Sequence, residues 1–176
     1  MERETILFRT PRVSLKETPR GFQYLERKGK DSVAVFLIRR RELSADDFET
    51  LIRHQPLSID FSEINGIPKL FPCPSTGSIN ENEDPQQAAT RETYEESGFA
   101  IEVILLGHFI VGTQTNEVCY MFYADVTGIE PKHAPQDGSF FESVSQNQWQ
   151  PLEYLNQCAY GACQLGYFRL KSLLKL

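Results

Sequence analysis

The sequence predicts an α/β/α sandwich, in which a mixed β-sheet has helices on both faces and an N-terminal β-hairpin precedes it. A capped helix stands between two strand-like segments, a continuous apolar run fits a strand buried on both faces, and the C-terminal region has apolar residues at helical spacing. Such alternation of strands and helices is typical of the α/β class. The chain has 176 residues, 40% of them hydrophobic, and residues 1–176 are predicted to form a single domain.

Residues 1–30 are predicted to form the hairpin region. The polar segments 12–18 and 22–27 flank a turn that contains Pro19 and Gly21. An isolated hairpin is marginally stable in water, so this one must pair with the main sheet or with a second subunit. A homodimer is the preferred expectation.

The run SVAVFLI at residues 32–38 predicts a strand that is buried on both faces. The basic residues 39–41 are followed at once by Glu42, and they are predicted to form a turn. Residues 44–54 leave two interpretations open, because Ser44 and the acidic pair after it could begin a helix, whereas LIRHQ could be a strand.

A helix is predicted over residues 85–97. Asp84 can cap it, Pro85 suits the first helical position, and the side chain of Gln87 can reach back to the N–H of the capping residue. Gly98 is a natural left-handed terminator.

Three glutamates on this helix are the main functional signal. Glu92, Glu95 and Glu96 are spaced i, i+3 and i+4, so they share an arc of about 100°. Like charges at this spacing repel, and a divalent cation would remove that cost. Arg91 stands four residues before Glu95 and could pair with it. The alternative is a surface helix with a solvated acidic face.

Gly77 precedes the helix and is expected at a tight bend that requires a positive φ. Ala88 and Ala89 lie one turn before the glutamates on much the same side. Their small side chains are expected to let the bend lie close to the carboxylates.

The segments after the helix complete the predicted sheet and its second helical layer. Residues 101–107 and 118–126 predict strands, and residues 127–138, rich in Pro, Gly and Asp, predict a loop. The tail from residue 151 to 176 predicts helix, interrupted near Gly161 and Gly166.

The segment from Gly77 to Phe99 resembles the Nudix box, G-x5-E-x7-R-E-U-x-E-E-x-G-U, where U is a bulky apolar residue. The matching residues are Gly77, Glu83, Arg91, Glu92, Glu95, Glu96, Gly98 and Phe99. Thr93 departs from the pattern at the first U position. The resemblance implies a Nudix-type α/β/α sandwich with a mixed sheet, in which LIRHQ is a strand.

The resemblance also implies a site for Mg²⁺, with Mn²⁺ as the other possibility, formed by Glu92, Glu95, Glu96 and the backbone carbonyl of Thr76. Glu92 and Glu96 would bind metal directly, and Glu95 would bind through water or to a second ion. Arg91 would orient these glutamates, and Glu83 would brace the loop before the helix.

The general base is a separate question, because carboxylates bound to cations are weak bases. In the ADP-ribose branch of the Nudix family, a glutamate on the loop before the final helix is thought to be the base. The matching stretch here is 139–150, and its only acidic residue is Glu142. The alternative is an exposed loop glutamate without a role.

The N-terminal hairpin, TGSINENEDP and TNEVCYMFYADV together resemble the ADP-ribose and nucleoside-diphosphate-sugar pyrophosphatase branch, whose members commonly dimerise through the N-terminal sheet. The implied reaction is attack of water on phosphorus in a nucleoside diphosphate linked to another group. The sequence departs from that branch at 73–77 and 111–113, which are substrate-contact regions. The alternatives are action on nucleoside triphosphates or dinucleotides and, less favoured, a non-catalytic nucleotide-binding module.

Composition and charge indicate which classes of binding partner and which cellular compartment to expect. The formal net charge of −6 argues against a nucleic-acid surface. The four cysteines form no CxxC pair and the three histidines are scattered, which argues against a zinc site. The sequence has no run of 18 apolar residues and no apolar signal segment, so a cytoplasmic protein with a small-molecule substrate and no membrane partner is expected.

Overall fold

The computed structural model describes residues 4–27, 29, 31–41, 47–57, 62–64, 67–133 and 143–176. The N-terminal region is a three-stranded antiparallel sheet of β1 (Thr5–Arg9), β2 (Val13–Glu17) and β3 (Gln23–Arg27). The predicted hairpin is β2–β3, and β1 is an additional strand that pairs with β2. Strand β3 joins this sheet to the rest of the molecule, because the amide of Leu25 donates to the carbonyl of Gln114 at 2.9 Å.

Within the described residues, the main sheet has seven strands. They are β4 (Ser32–Arg40), β5 (Phe48–Gln55), β8 (Phe71–Cys73), β9 (Ser75–Ser78), β10 (Ile104–Ile110), β11 (Val118–Asp125) and β12 (Gln146–Pro151). The short strands β6 (Glu63–Ile64) and β7 (Ile67–Pro68) pair only with each other. The order is β10-β11-β4-β5-β12, with β4 and β11 parallel and the other pairs antiparallel, which confirms the predicted mixed sheet.

The sheet splits between β4 and β5. These strands pair only where residues 38–40 meet residues 48–50. Beyond that point β4 pairs with β9 and β5 pairs with β8. The split places residues 75–78 in the middle of one sheet face, where a helix can pack against them.

Helices cover both faces, as the α/β/α prediction requires. Helix α1 (Pro85–Ser97) packs on one face, and a 3₁₀ helix (Leu152–Gln157) and α2 (Gly161–Leu174) pack on the other. The tail breaks at Gly161 as predicted but not at Gly166, which lies inside α2. A Cβ on Gly166 would stand 2.3 Å from the Phe36 ring, so this glycine allows close packing rather than a break.

Two other local predictions are wrong. The basic run 39–41 is not a turn, because Arg39 and Arg40 end β4, where their main chains pair with β5. The strand predicted over 101–107 is displaced to Ile104–Ile110. In the open segment 44–54, the residues from 48 onward form β5, while residues 42–46 lie outside the described part of the chain.

In the described part of the chain, no helix is both long and apolar enough to cross a membrane. The four cysteines are free and buried, as expected for thiols in a core.

Candidate active site

The caps predicted for α1 are present. The Asp84 carboxylate accepts from the amide of Gln87 at 2.9 Å, and the Gln87 side chain accepts from the amide of Asp84 at 3.0 Å. Gly98 ends the helix at φ 77°, and its amide donates to the carbonyl of Tyr94. Local sequence therefore fixes both ends of α1 and hence the direction in which its side chains project.

The buried side of α1 is formed by small residues. Ala88 and Ala89 are fully buried against the apolar residues of β4 and β11. Their small side chains allow the helix to pack closely on the sheet. Thr93 is fully buried too, and its hydroxyl donates to the carbonyl of Ala89, which satisfies a polar group at the apolar position of the motif.

Arg91 lies at the centre of a cluster of carboxylates. Its Nε and Nη2 donate to Glu83, at 2.9 and 3.0 Å, and its Nη1 donates to Glu92 at 2.6 Å and to Glu95 at 3.0 Å. Nη2 also donates to the carbonyl of Ser78, which ties α1 to β9. The predicted Arg91–Glu95 pair is thus present. The guanidinium lowers the pKa of Glu83, and the hydrogen bonds that Arg91 donates to Glu83 raise the pKa of Arg91.

Glu92 is pressed against β9. A Cβ on Gly77 would stand 1.9 Å from the Glu92 carboxyl group, so only glycine leaves room for it. Gly77 lies in β9 and is not among the residues with positive φ, so the predicted bend is wrong and the need for glycine is a close approach. Burial raises the pKa of Glu92 to about 7, against the opposing effect of Arg91.

Glu96 is held by the same strand and by β5. Its carboxylate accepts from the hydroxyl of Ser75 and from the amide of Thr76 at 3.0 Å. Its other oxygen lies 3.2 Å from Nε of Arg53, and the two side chains are only 11% and 9% exposed. The amide and carbonyl of one strand residue project to the same edge, so the Thr76 carbonyl also points towards α1.

The residues suit a divalent cation by charge and by donor type. Glu83, Glu92, Glu95 and Glu96 bring four carboxylates, while Arg91 and Arg53 bring two guanidinium groups. Carboxylate and carbonyl oxygens are the donors that Mg²⁺ and Mn²⁺ prefer. Among the described residues no three such side chains surround a single point: Glu92 and Glu95 both accept from Nη1 of Arg91, whereas Glu96 is turned to Ser75, Thr76 and Arg53.

Arg53 is a site residue that sequence reasoning missed. The available signal was an arginine next to the apolar residues Leu51 and Ile52, since a buried arginine needs a carboxylate partner. Its partner, Glu96, is remote in sequence, so no local pattern pairs them. The predicted base, Glu142, lies outside the described residues.

The chain is similar to a known domain family and to a single curated relative. The model of the NUDIX domain matches residues 25–163 of the chain. The RNA pyrophosphohydrolase of Rhizobium meliloti (strain 1021) is 50% identical over 42 residues, which are 24% of this chain and 25% of that protein. The match thus spans a quarter of that relative's length.

Solved structures resemble the whole fold. A C. elegans Ap4A hydrolase binary complex matches 82% of this chain and 97% of its own at a TM-score of 0.58 and 16% identity. An ADP compounds hydrolase matches 98% of this chain and 92% of its own, with a TM-score of 0.62 and 17% identity. A mutT/nudix family protein from Listeria innocua matches 83% of this chain and 94% of its own, with a TM-score of 0.59 and 19% identity. At these identities the likeness is one of fold.

Proposed function

The chain belongs to the NUDIX domain family, and we propose that it is a pyrophosphohydrolase. Its proposed reaction is hydrolysis of the diphosphate linkage of a nucleoside diphosphate joined to another group, such as ADP-ribose or a nucleotide sugar. The observation that carries the proposal is the cluster of four carboxylates around Arg91 and Arg53 where α1 meets β9. Such an acidic cluster is suited to an anionic substrate only together with cations.

Nudix hydrolases generally use divalent metal ions, and we propose Mg²⁺, with Mn²⁺ able to replace it. Glu92, Glu96 and the carbonyl of Thr76 would hold the cation, and Glu95 would contribute through water or hold a second ion. When bound, the metal supplies charge stabilisation on the phosphoryl oxygens and activation of the attacking water.

The protein side chains have positioning roles in this proposal. Arg91 keeps Glu92 and Glu95 in fixed orientations, and it also ties them to Glu83 in the preceding loop. Arg53 and Ser75 do the same for Glu96. Fixed orientation of charged groups lowers the cost of reorganisation during the reaction.

Glu142 remains the proposed general base. The proposal predicts that Glu142→Gln lowers kcat strongly with little change in metal affinity, whereas a change of Glu92 or Glu96 lowers both. Near-normal kcat for Glu142→Gln across pH 6 to 9 would move the search for the base to Glu92 or Glu95. The metal affinity of the same variants is measured by titrating each with the metal ion and recording the rise in melting temperature.

The substrate is tested by a panel of ADP-ribose, nucleotide sugars, dinucleotides and nucleoside triphosphates with Mg²⁺ or Mn²⁺, with the products separated by chromatography. The proposal expects the highest kcat/KM on the first two classes. Preference for dinucleotides or triphosphates would establish the alternative activity, and binding without turnover of any compound would establish a non-catalytic module.

We also propose a homodimer formed through the N-terminal sheet of a cytoplasmic protein. The support is an exposed apolar set on that sheet, consisting of Ile6, Leu7, Phe8, Phe22 and Leu25. Buried free thiols are compatible with a reducing compartment. Sedimentation at micromolar concentration should give the mass of two chains, and a fully active monomer would contradict the dimer.

A further inference from the structure

Strand β10 lies at one end of the main sheet and presents an apolar edge. Within the described part of the chain, it pairs with β11 on one side only. Its seven residues, ILLGHFI, include no Asp, Glu, Lys or Arg. Ile104 and Leu105 are each 56% exposed, and Ile110 is 71% exposed. An uncharged, apolar edge strand of this length is suited to pairing with a strand of another chain, because its outer N–H and C=O groups have no partner strand.

The guanidinium of Arg169 covers part of this edge. Arg169 lies in α2, where its Nη1 donates to the carbonyl of Leu106 at 3.1 Å and its Nη2 donates to the carbonyl of His108 at 3.2 Å. The amide of Val111 donates to Glu117 on the β11 side, so His108, three residues earlier, faces the opposite edge. One side chain thus binds two acceptors that an incoming strand would need.

Gly107 makes room for the guanidinium. Leu106 is an extra residue in β10 relative to β11, because the register shifts between Leu105 and Gly107. Gly107 has a φ of 139°, and a Cβ at this position would stand 1.5 Å from Nη1 of Arg169. A glycine at the bulge therefore lets Arg169 reach the carbonyls on both sides of it.

The charge of Arg169 stands alone on an apolar surface. It borders an open cavity of about 430 Å³, whose other described lining residues, among them Ile104, Leu105 and Leu173, are all uncharged. Among the ion pairs of the described residues, none includes Arg169. Its strongest contacts are therefore the two edge carbonyls, and its removal would leave the edge both unpaired and uncharged.

We propose that β10 is a strand-pairing surface that Arg169 keeps closed, and that the partner it accepts without the guanidinium is β10 of a second copy of this chain. Two antiparallel copies of one strand are self-complementary about a twofold axis, and the absence of charge in ILLGHFI means that the copies do not repel each other. No residue of the carboxylate cluster takes part, so the inference is independent of the proposed substrate.

Arg169→Met tests the proposal in the full chain. Methionine removes the guanidinium but keeps a long, unbranched side chain with good helix propensity. Light scattering after size exclusion, from low to high micromolar concentration, should give at least twice the mass of the wild type at the same concentration. A wild-type monomer would gain one new interface, and a wild-type dimer, with two β10 edges, would form longer chains. A mass equal to that of the wild type throughout would overturn the proposal.

Two further variants identify the surface that causes assembly. Arg169→Met combined with Ile110→Lys places a charge on the exposed edge, which opposes strand pairing, and should restore the wild-type mass. Lys171→Met removes the same charge from the same helix, where Lys171 lies over Tyr167, and should leave the mass unchanged. Assembly that persists with Ile110→Lys, or that equals Arg169→Met in Lys171→Met, would contradict pairing through β10.

Unfolding is separated from edge pairing by a cooperative urea transition and by circular dichroism on every variant. Arg169→Lys is the second test at this position, because lysine keeps the charge but lacks the fork that binds two carbonyls at once. We expect its mass to rise less than that of Arg169→Met and to return to the wild-type value with Ile110→Lys. Loss of the cooperative transition in Arg169→Met, together with wild-type mass in a folded Arg169→Lys, would reduce Arg169 to a packing residue.

Discussion

The two faces of the main sheet are formed by alternate residues of the same strands, but helices cover one face fully and the other only in part. In β4, Phe36 and Ile38 point to α2 and the 3₁₀ helix, where the face is closed by apolar side chains. Val35 and Leu37 point to α1, which covers only part of the face. In the neighbouring strand Arg53 lies on this second face. A closed face makes a core, and a partly open face leaves room for charged side chains and a cleft.

Gly166 and Gly77 show the same difference between the closed and the partly open face. A Cβ on Gly166 would meet the rigid ring of Phe36, at 2.3 Å, inside the closed face. A Cβ on Gly77 would meet the end of a flexible glutamate side chain, at 1.9 Å, on the open face. The first glycine serves packing, and the second serves the position of Glu92.

Glu96→Gln should lower kcat roughly a hundredfold or more, because a metal ligand loses its charge. It should also lower the free energy of unfolding, by about 2 kcal/mol, because Arg53 stays buried without its carboxylate partner. Steady-state kinetics and urea unfolding measure the two effects. Glu153→Gln on the far side of the sheet is the control, and full activity of Glu96→Gln at saturating Mg²⁺ would refute the ligand assignment.

Glu92→Gln should lower kcat to a similar extent but should stabilise the metal-free protein at high pH. The folded pKa of Glu92, about 7, lies above the ordinary value of 4.5, so its stabilising contribution is complete below pH 4.5 and is lost as pH rises through 7. In EDTA, the variant and the wild type should be similar near pH 5, and the variant should be more stable by roughly 2 to 3 kcal/mol at pH 8.

Mg²⁺ should reduce or reverse the difference in stability between Glu92→Gln and the wild type, because the cation stabilises the chain whose metal ligand is intact. Thermal unfolding at several pH values with EDTA or Mg²⁺ makes the measurement, and Glu102→Gln controls for the loss of one helix-proximal charge. A difference between variant and wild type that stays constant from pH 5 to 8 would show that Glu92 does not titrate in this range.

Gly77→Ala should lower kcat by roughly ten- to a hundredfold, because the added methyl group displaces the Glu92 carboxylate. Stability should change little, since a side-chain end can rotate away. Gly161→Ala is the matched control, because an added Cβ there would meet nothing within 4 Å. Loss of stability without loss of turnover would contradict the role given to Gly77.

Gly166→Ala should leave kcat unchanged and lower the free energy of unfolding by about 1 to 3 kcal/mol through overpacking. The gain in helix propensity is too small to offset contact with the Phe36 ring at this distance. Calorimetry gives the shift in melting temperature. Gly161→Ala, which would contact nothing within 4 Å, should be neutral or stabilising. Equal stability of the two variants would remove the distinction between the faces.

The sequence by itself determined the features that depend on neighbours along the chain. The bounds of α1 were predicted correctly because Asp84, Pro85 and Gly98 act within one helical turn. The strand at residues 32–38 was predicted because a continuous apolar run has few other solutions in a folded domain. The Arg91–Glu95 pair was predicted because i and i+4 positions meet on any helix.

The tertiary structure decided what depends on the order of strands in space. Arg39, Arg53 and Trp149 share a face only because β4, β5 and β12 are neighbours, although about a hundred residues separate the last two strands in sequence. The roles of Gly77 and Gly166 were misjudged because a glycine that permits close approach looks the same in sequence as one that turns the chain. Such contacts arise from packing between distant segments, and local propensity carries no information about them.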